Sequence, residues 1–299
     1  TLLLDPTSIT IIGGTRPPST STSTTVTGPT VTGPIACGTP VPCPASGTTT
    51  SVSGNTTTTT TIAVAAFQYT VTTTTSTVTT SQTPATAPPV PITFQDAAPT
   101  EVFQSDLEGY KSGTNVVLEA SSWIGVAGTF SGASVALTPD SNLTLRTRNA
   151  PIDSSFTSGI KLSDSNLGAN LEFRTQGTGN ITLQTGFTGS GAQNANISVG
   201  KLTTAGGAIS LTAQGSGSDV IVLGNLDAGT GANTLKADGN VRFDGSNPMT
   251  LTGSSLSVSG GSGVLVNTSL TNHSGLWVNP AGSLLSINGS LTMGSGSSL

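Results

Sequence analysis

Seven times between residues 115 and 245 the chain repeats a six-residue pattern: Asn or an equivalent, then apolar, any, apolar, any, small. It reads Asn115-Val-Val-Leu-Glu-Ala, Asn142-Leu-Thr-Leu-Arg-Thr, Asn170-Leu-Glu-Phe-Arg-Thr and Asn180-Ile-Thr-Leu-Gln-Thr. It returns as Ala208-Ile-Ser-Leu-Thr-Ala, Asp219-Val-Ile-Val-Leu-Gly and Asn240-Val-Arg-Phe-Asp-Gly. Successive starts lie 27, 28, 10, 28, 11 and 21 residues apart, near ten and its multiples. Apolar residues at period two occupy one face of a strand. A strand this short cannot bury that face alone, whereas stacked strands place each apolar position over its counterpart. Val116, Leu118, Leu143, Leu145, Leu171, Phe173, Ile181 and Leu183 are therefore expected to point inward, with Val117 and Glu119 outward. An antiparallel sandwich would show tight two-residue turns and a more aromatic core, but this chain has two Trp and two Tyr. The pattern predicts an all-β fold, a β-solenoid.

Composition narrows the class further. The 299 residues suffice for one large or two ordinary domains. Only 8% are charged, against roughly a quarter in an average soluble domain. No apolar run approaches the length of a spanning helix, so membrane insertion is not expected. A net charge of −5 with nine Lys and Arg offers no basic patch for nucleic acid. Hydroxyl residues stand where charges usually would on the outer faces.

Three regions separate along the chain. Residues 1–14 hold two short strand-like runs broken at Asp5-Pro6, residues 15–98 form a Thr/Pro-rich insertion, and residues 99–299 carry the repeated pattern. Residues 17–95 contain no Asp, Glu, Lys, Arg or His, but 11 of the 17 prolines and both cysteines. The β-branched stretch over 56–80 predicts a hairpin or small sheet, and residues 84–91 an extended connector. Cys37 and Cys43 close a short loop, and with this Thr/Ser-rich composition a disulfide in an oxidising compartment is expected, two free thiols being the alternative. Thr100 predicts the N-cap of a helix that starts at Glu101 and ends at Gly109 or Gly113, with Phe103 and Leu107 on one face. The chain begins and ends in strand-like sequence, as a mature fragment or a segment of a longer protein would, and neither end of the solenoid is expected to be closed.

Chemistry-bearing residues are sparse. The charged candidates are Asp96, Glu101, Asp106, Glu108 and Lys111 near the helix and Glu119, Arg146, Arg148, Glu172 and Arg174 on strands. Glycan-cleaving β-helices need such carboxylates clustered on neighbouring coils. Here Glu172, Arg174 and Arg146 read more simply as ion pairs between coils on a solvated face. The sole histidine, His273, reads as a turn residue, and no nucleophile triad, metal motif or phosphate loop is present. The sequence thus assigns no catalytic, cofactor-binding or metal residues. Asn-x-Ser/Thr triplets at Asn55, Asn142, Asn180 and Asn196 fall where stacked Asn side chains would bond between coils.

Three blocks also resemble filamentous-haemagglutinin-like, two-partner-secreted proteins. Thr1-Leu-Leu-Leu-Asp-Pro-Thr-Ser-Ile-Thr-Ile is similar to their Leu-x-Leu-Asp-Pro-x-x-Ile-x-Ile segment. Leu107-Glu-Gly-Tyr-Lys-Ser-Gly-Thr-Asn-Val-Val-Leu-Glu-Ala resembles the Leu-Asn-x-Gly-x-Asn-Val-x-Leu block that follows it. Ser141-Asn-Leu-Thr-Leu-Arg-Thr-Arg-Asn-Ala-Pro-Ile resembles the next, Leu-x-Leu-x-Ala-x-x-x-Ile. The match covers residues 1–14 and 100–200, and the uncharged insertion departs from it. The resemblance implies a right-handed parallel β-helix exported across a Gram-negative outer membrane to the cell surface. It implies an adhesin, a surface filament or a stalk for a delivered toxin. The unclosed strand ends and the uncharged insertion add the expectation of self-assembly in which residues 17–95 take part, and a host-cell or surface glycan is a possible partner. A carbohydrate-active enzyme or a stalk for an absent effector are the alternatives.

Overall fold

In the computed structural model the apolar residues of the repeat are buried by three all-parallel sheets. The structure describes residues 2–4, 8–17, 31–34, 47–53, 56–65, 68–77, 100–148, 159–163, 170–186, 195–278, 284–295 and 297. Cys37, Cys43, Asn55, Asp96 and the connector over 84–91 lie outside these residues. The chain divides into two compact units, Thr1–Arg16 with Ala85–Leu299, and Pro17–Pro84.

In the larger unit the first sheet contains Leu2–Leu4, Asn115–Ala120, Asn142–Thr147, Ile181–Thr185, Ile209–Ala213, Ala232–Ala237, Ser255–Gly260 and Leu276–Val278. The second runs from Thr100–Phe103 through Ser8–Ile12, Trp123–Ala127, Gly159–Lys161, Asn196–Val199, Val220–Val222, Asn240–Phe243 and Gly263–Val266 to Leu285–Ile287. The third contains Ser134–Pro139, Glu172–Gln176, Lys201–Thr203, Leu226–Asp227, Met249–Thr252, Ser269–Asn272 and Ser290–Met293. From Asn115 onward the chain visits first, second and third sheets in strict rotation, and each strand pairs with the one three strands later. Among the described residues one short α-helix occurs, Gln104–Glu108, and from Asn115 onward no described connection between the parallel strands is α-helical.

Register puts like residues over like. In the first sheet Leu118, Leu145, Leu183, Leu211, Leu235 and Val258 form one column, and all are fully buried. The second sheet stacks Ile124, Ile160, Ile197, Val220, Val241 and Val264. The third stacks Val135, Phe173, Leu202, Leu226 and Leu251. All eight residues expected inward have at most 0% exposure. At roughly 1.5–3 kcal/mol for each fully buried Leu, Ile or Val, these columns dominate the favourable free energy of the unit.

The seven hexads do not form one stack. Those at Asn115, Asn142, Asn180 and Ala208 share the first sheet, those at Asp219 and Asn240 the second, and that at Asn170 the third. Steps of 10 and 11 residues are therefore passages from one sheet to the next; those from Asn115, Asn180 and Asp219 are whole circuits, and the 28 residues from Asn142 to Asn170 run from the first sheet to the third. Circuits are also unequal, because connections differ in length: Asn142 and Asn180 are 38 residues apart, but Asn267 and Asn288 only 21.

Tight corners need glycine. A Cβ on Gly207 would lie 2.0 Å from the Gly179 carbonyl oxygen, and one on Gly231 would lie 2.0 Å from that of Gly207. Successive backbones touch there, and a side chain has no room.

The first part of the expected helix, up to Phe103, is strand. Thr100–Phe103 pairs with Ser8–Ile12, Ile9 opposite Thr100 and Ile11 opposite Val102. Only Gln104–Glu108 is helical, its first N–H side closed by the Asp106 carboxylate accepting from Phe103 N at 3.0 Å. A parallel partner strand supplies more backbone bonds to β-branched Thr100 and Val102 than a helix turn would.

The smaller unit holds an antiparallel sheet ordered Val31–Pro34, Gln68–Thr77, Thr56–Ala65, Gly47–Ser53. Thr pairs with Thr at four successive rungs between its central strands, from Thr58↔Thr75 through Thr61↔Thr72, with Thr57 opposite Ser76.

Candidate functional site

The polar residues of the larger unit fall into ladders and ion pairs that run from circuit to circuit. Asn142 Nδ2 donates to Asn115 Oδ1 at 2.5 Å, and Asn142 Oδ1 accepts from the Asn180 backbone at 2.8 Å and its side chain at 2.9 Å. Asn180 Oδ1 accepts from Ala208 N at 2.7 Å. A second ladder joins Asn196, Asp219 and Asn240, and a third joins Asp244, Asn267 and Asn288. Each side chain bridges the step between strands that a corner leaves partly unpaired. Asn142, Asn180 and Asn196, read as triplet openers, are thus already bonded between circuits.

The strongest cluster is Glu119 with Arg146 and Arg148. Register places Arg146 directly over Glu119. Arg146 donates through Nε at 2.7 Å and Nη2 at 2.6 Å to Glu119 Oε2. Arg148 donates from Nε at 2.7 Å and from Nη2 to Glu119 Oε1. Glu119 alternates outward as expected, but it is only 2% exposed because the two guanidinium groups cover it. The expectation of a solvated Glu119 is corrected on that ground. Four arginine N–H groups thus occupy the acceptor positions of its two oxygens. It clamps circuits together.

Glu172 and Arg174 lie elsewhere. They belong to the third sheet, so the expected pairing of that strand with Arg146 does not form. Glu172 instead accepts from Thr203 Oγ1 at 2.6 Å, and Arg174 is exposed. Arg242 bonds Asp244 at 2.6 Å and lies 3.9 Å from Asp219 in the second sheet. That set was not found from sequence, because Asp219 and Arg242 sit 23 residues apart with no local mark of contact. His273 is exposed at a turn. Among the described residues no three His, Cys, Asp or Glu gather to hold a metal. Nor is any described helix long and apolar enough to cross a membrane.

A second polar cluster sits where the chain leaves for the insertion and comes back. Gln104, 3% exposed, uses its whole amide. Its Oε1 accepts from Gly14 N at 3.0 Å and Ser131 N at 2.9 Å. Its Nε2 donates to Ser134 O at 2.8 Å and Glu108 Oε1 at 3.0 Å. The Glu108 oxygen also accepts from Ala136 N at 3.0 Å. These side chains satisfy the free edge of Ser134–Pro139, the first strand of the third sheet. The expectation that neither end is closed is corrected here: on this edge the helix does what a preceding strand would do.

Arg16 locks the same junction. It forks onto Asp106 at 3.2 and 2.6 Å and lies 4.9 Å from the Phe103 ring centre. Ser105 N bonds Gly14 O at 3.2 Å, and Arg16 N bonds Ser105 Oγ at 3.1 Å. Tyr110 is buried beside this fork. Burial first, and the Asp106 charge second, push its phenol up to about 12, while Arg16 pulls the other way. Asp140, at a corner, is held below the ordinary carboxylate range by the Thr178 backbone N–H and hydroxyl.

Glu101 and Lys111 are exposed. The candidate residues thus sort into inter-circuit ties rather than one converging cleft. Comparison with protein-family models, with curated proteins and with solved structures returns no match.

Proposed function

We propose that the larger unit is a right-handed parallel β-helix of the filamentous-haemagglutinin-like kind, serving as a secreted structural or adhesive surface protein. The observation that carries this reading is the strict rotation of parallel strands through three sheets, with apolar columns inside and Asn, Thr and Ser ladders outside. Right-handed crossovers are the overwhelming rule for parallel strands, which sets the hand. A rod with uncharged, hydroxyl-rich flanks suits an extracellular stalk or filament, reached by export across the outer membrane. It would present flat polar surfaces to a host or surface glycan and assemble with its own kind. The charged residues support this role rather than catalysis, since Glu119, Asp219 and Asp106 are each held by an arginine.

Negative-stain electron microscopy of the purified chain tests the reading. Rods or fibres whose width fits three short sheets are the expected result. Compact particles that cleave a panel of polysaccharides would overturn it in favour of an enzyme.

A further inference from the structure

The four-stranded sheet of the smaller unit has two edges that differ. One edge strand, Val31–Pro34, is four residues long and carries Gly33 and Pro34. A proline cannot donate to a further strand, and shortness leaves little to pair with, so this edge is blunted. The other, Gly47–Ser53, is seven residues long and holds neither proline nor charge. It pairs with Thr56–Ala65 over seven rungs without a bulge, from Gly47↔Ile62 to Ser53↔Thr56. Among the described residues nothing pairs with its outer side. Natural sheets guard such an edge with lysine, proline or a bulge, and none of these is here.

We infer that Gly47–Ser53 is a docking edge, and that its occupant is the same strand of a second copy of this chain. The inference rests on the self-assembling reading above and names the contact. Two features choose the occupant. Residues 17–95 carry no charged side chain, so nothing within this segment selects a charged partner. The sheet's own rungs are mostly Thr or Ser opposite Thr, as in Thr49↔Thr60, Thr50↔Thr59 and Ser51↔Thr58. An identical strand, run antiparallel about a two-fold axis at Thr50, repeats such rungs: Thr50 faces Thr50, and Thr49 faces Ser51. The joined sheet would have eight strands, twice the four of one copy. Backbone N–H and C=O groups supply the attraction, as in other strand-addition contacts. The contact is isologous, so it closes at a dimer and does not by itself grow a filament.

The test uses the full chain. Analytical ultracentrifugation over a concentration series is expected to show a monomer–dimer equilibrium. Thr50→Lys sets two like charges directly opposite and is expected to weaken the dimer about tenfold or more. Thr32→Lys, on the blunted edge, is expected to leave it unchanged. Circular dichroism and melting confirm that both variants fold. Thr50→Cys gives a signal that does not depend on destabilisation: opposed residues across an antiparallel rung lie about 4.5–5.5 Å apart, within disulfide reach. Oxidation should link Thr50→Cys chains into covalent dimers, in excess of a Thr32→Cys control with the same native cysteines. A chain that stays monomeric throughout overturns the inference, as does a dimer indifferent to Thr50→Lys that yields no excess cross-link. Filaments formed by a chain whose assembly is indifferent to Thr50→Lys and gives no excess cross-link would leave the filament reading standing while this contact falls. A dimer without filaments does the reverse.

Discussion

The two units of this chain are both built of strands, yet they specify those strands by different means. In the parallel unit the strands from Asn115 to Asn272 bury one face, so a slip of one residue would turn a column such as Leu118, Leu145 and Leu183 out to water. In the antiparallel sheet, residues 56–61 are all Thr and face another Thr-rich strand. A slip of two residues there still sets Thr against Thr. One region holds its register through side-chain burial; the other relies on backbone pairing and on where its turns fall. Sensitivity to substitution should divide along that line.

The largest effect is expected for Leu145→Asp. A charge without a partner at a fully buried position would cost more than about 4 kcal/mol and unfold neighbouring circuits. Thr144→Ala, one residue away on the outer side, should change stability by less than about 0.5 kcal/mol. Urea unfolding of the two variants compares them directly. An equal cost for both would erase the contrast between faces on which the comparison depends.

Gly207→Ala comes next, at about 1–3 kcal/mol, because its Cβ would press on the Gly179 carbonyl and spread two circuits. A lowered melting temperature with unchanged circular dichroism at room temperature is the expected outcome.

Alkaline titration should expose Tyr110. Its proton stays on in the folded chain up to about 12, while an unfolded tyrosine releases it at its ordinary value of 10.0. The folded state therefore binds more protons between those values. The stabilisation is complete below pH 10 and is lost as pH rises through about 12. The ring's partial contact with solvent limits the effect to on the order of 1–2 kcal/mol. Unfolding measured at about pH 9 and about pH 11.5 should show a loss that Tyr110→Phe reduces. An identical loss in both proteins would remove Tyr110 from the explanation.

Asn233→Leu should stabilise, by about 1 kcal/mol. Asn233 lies in a core column between Ile209 and Leu256, with its Oδ1 buried and unbonded. Its Nδ2 donates to Thr252 O, which keeps a second donor in Ala228 N. A leucine there removes an orphaned carbonyl and extends the column. Destabilisation instead would mean the amide fixes the fold at that rung.

The smallest effect is expected for the largest change. Removing Pro17–Pro84, so that Arg16 runs into Ala85, should shift the parallel unit's stability by no more than about 1 kcal/mol. The outgoing and returning segments remain held by Arg16–Asp106, Gly14–Gln104 and Ser105–Gly14. Denaturant melts of the shortened chain check this, and a collapse of the parallel unit would show that the two regions depend on each other.

Much of the strand interior was legible from residue order alone. Alternation is a local property, so Leu143 against Thr144 or Phe173 against Arg174 declares its face without reference to the rest of the chain. Asn at the head of a strand likewise announced a ladder. What the sequence could not say was which strands stack, because that depends on connections of unequal length. Asn170 and Asn180 carry the same hexad yet belong to different sheets, and Glu119 meets Arg146 and Arg148 only because one circuit returns them to the same height. Thr100 carried a plausible helix signal and became strand, since an available sheet edge outweighs a cap. Local periodicity determined the buried face of each strand. Chain closure over tens of residues decided the pairing, the ion clamps and the helix that covers the third sheet's edge, because those contacts exist only once the circuits are in place.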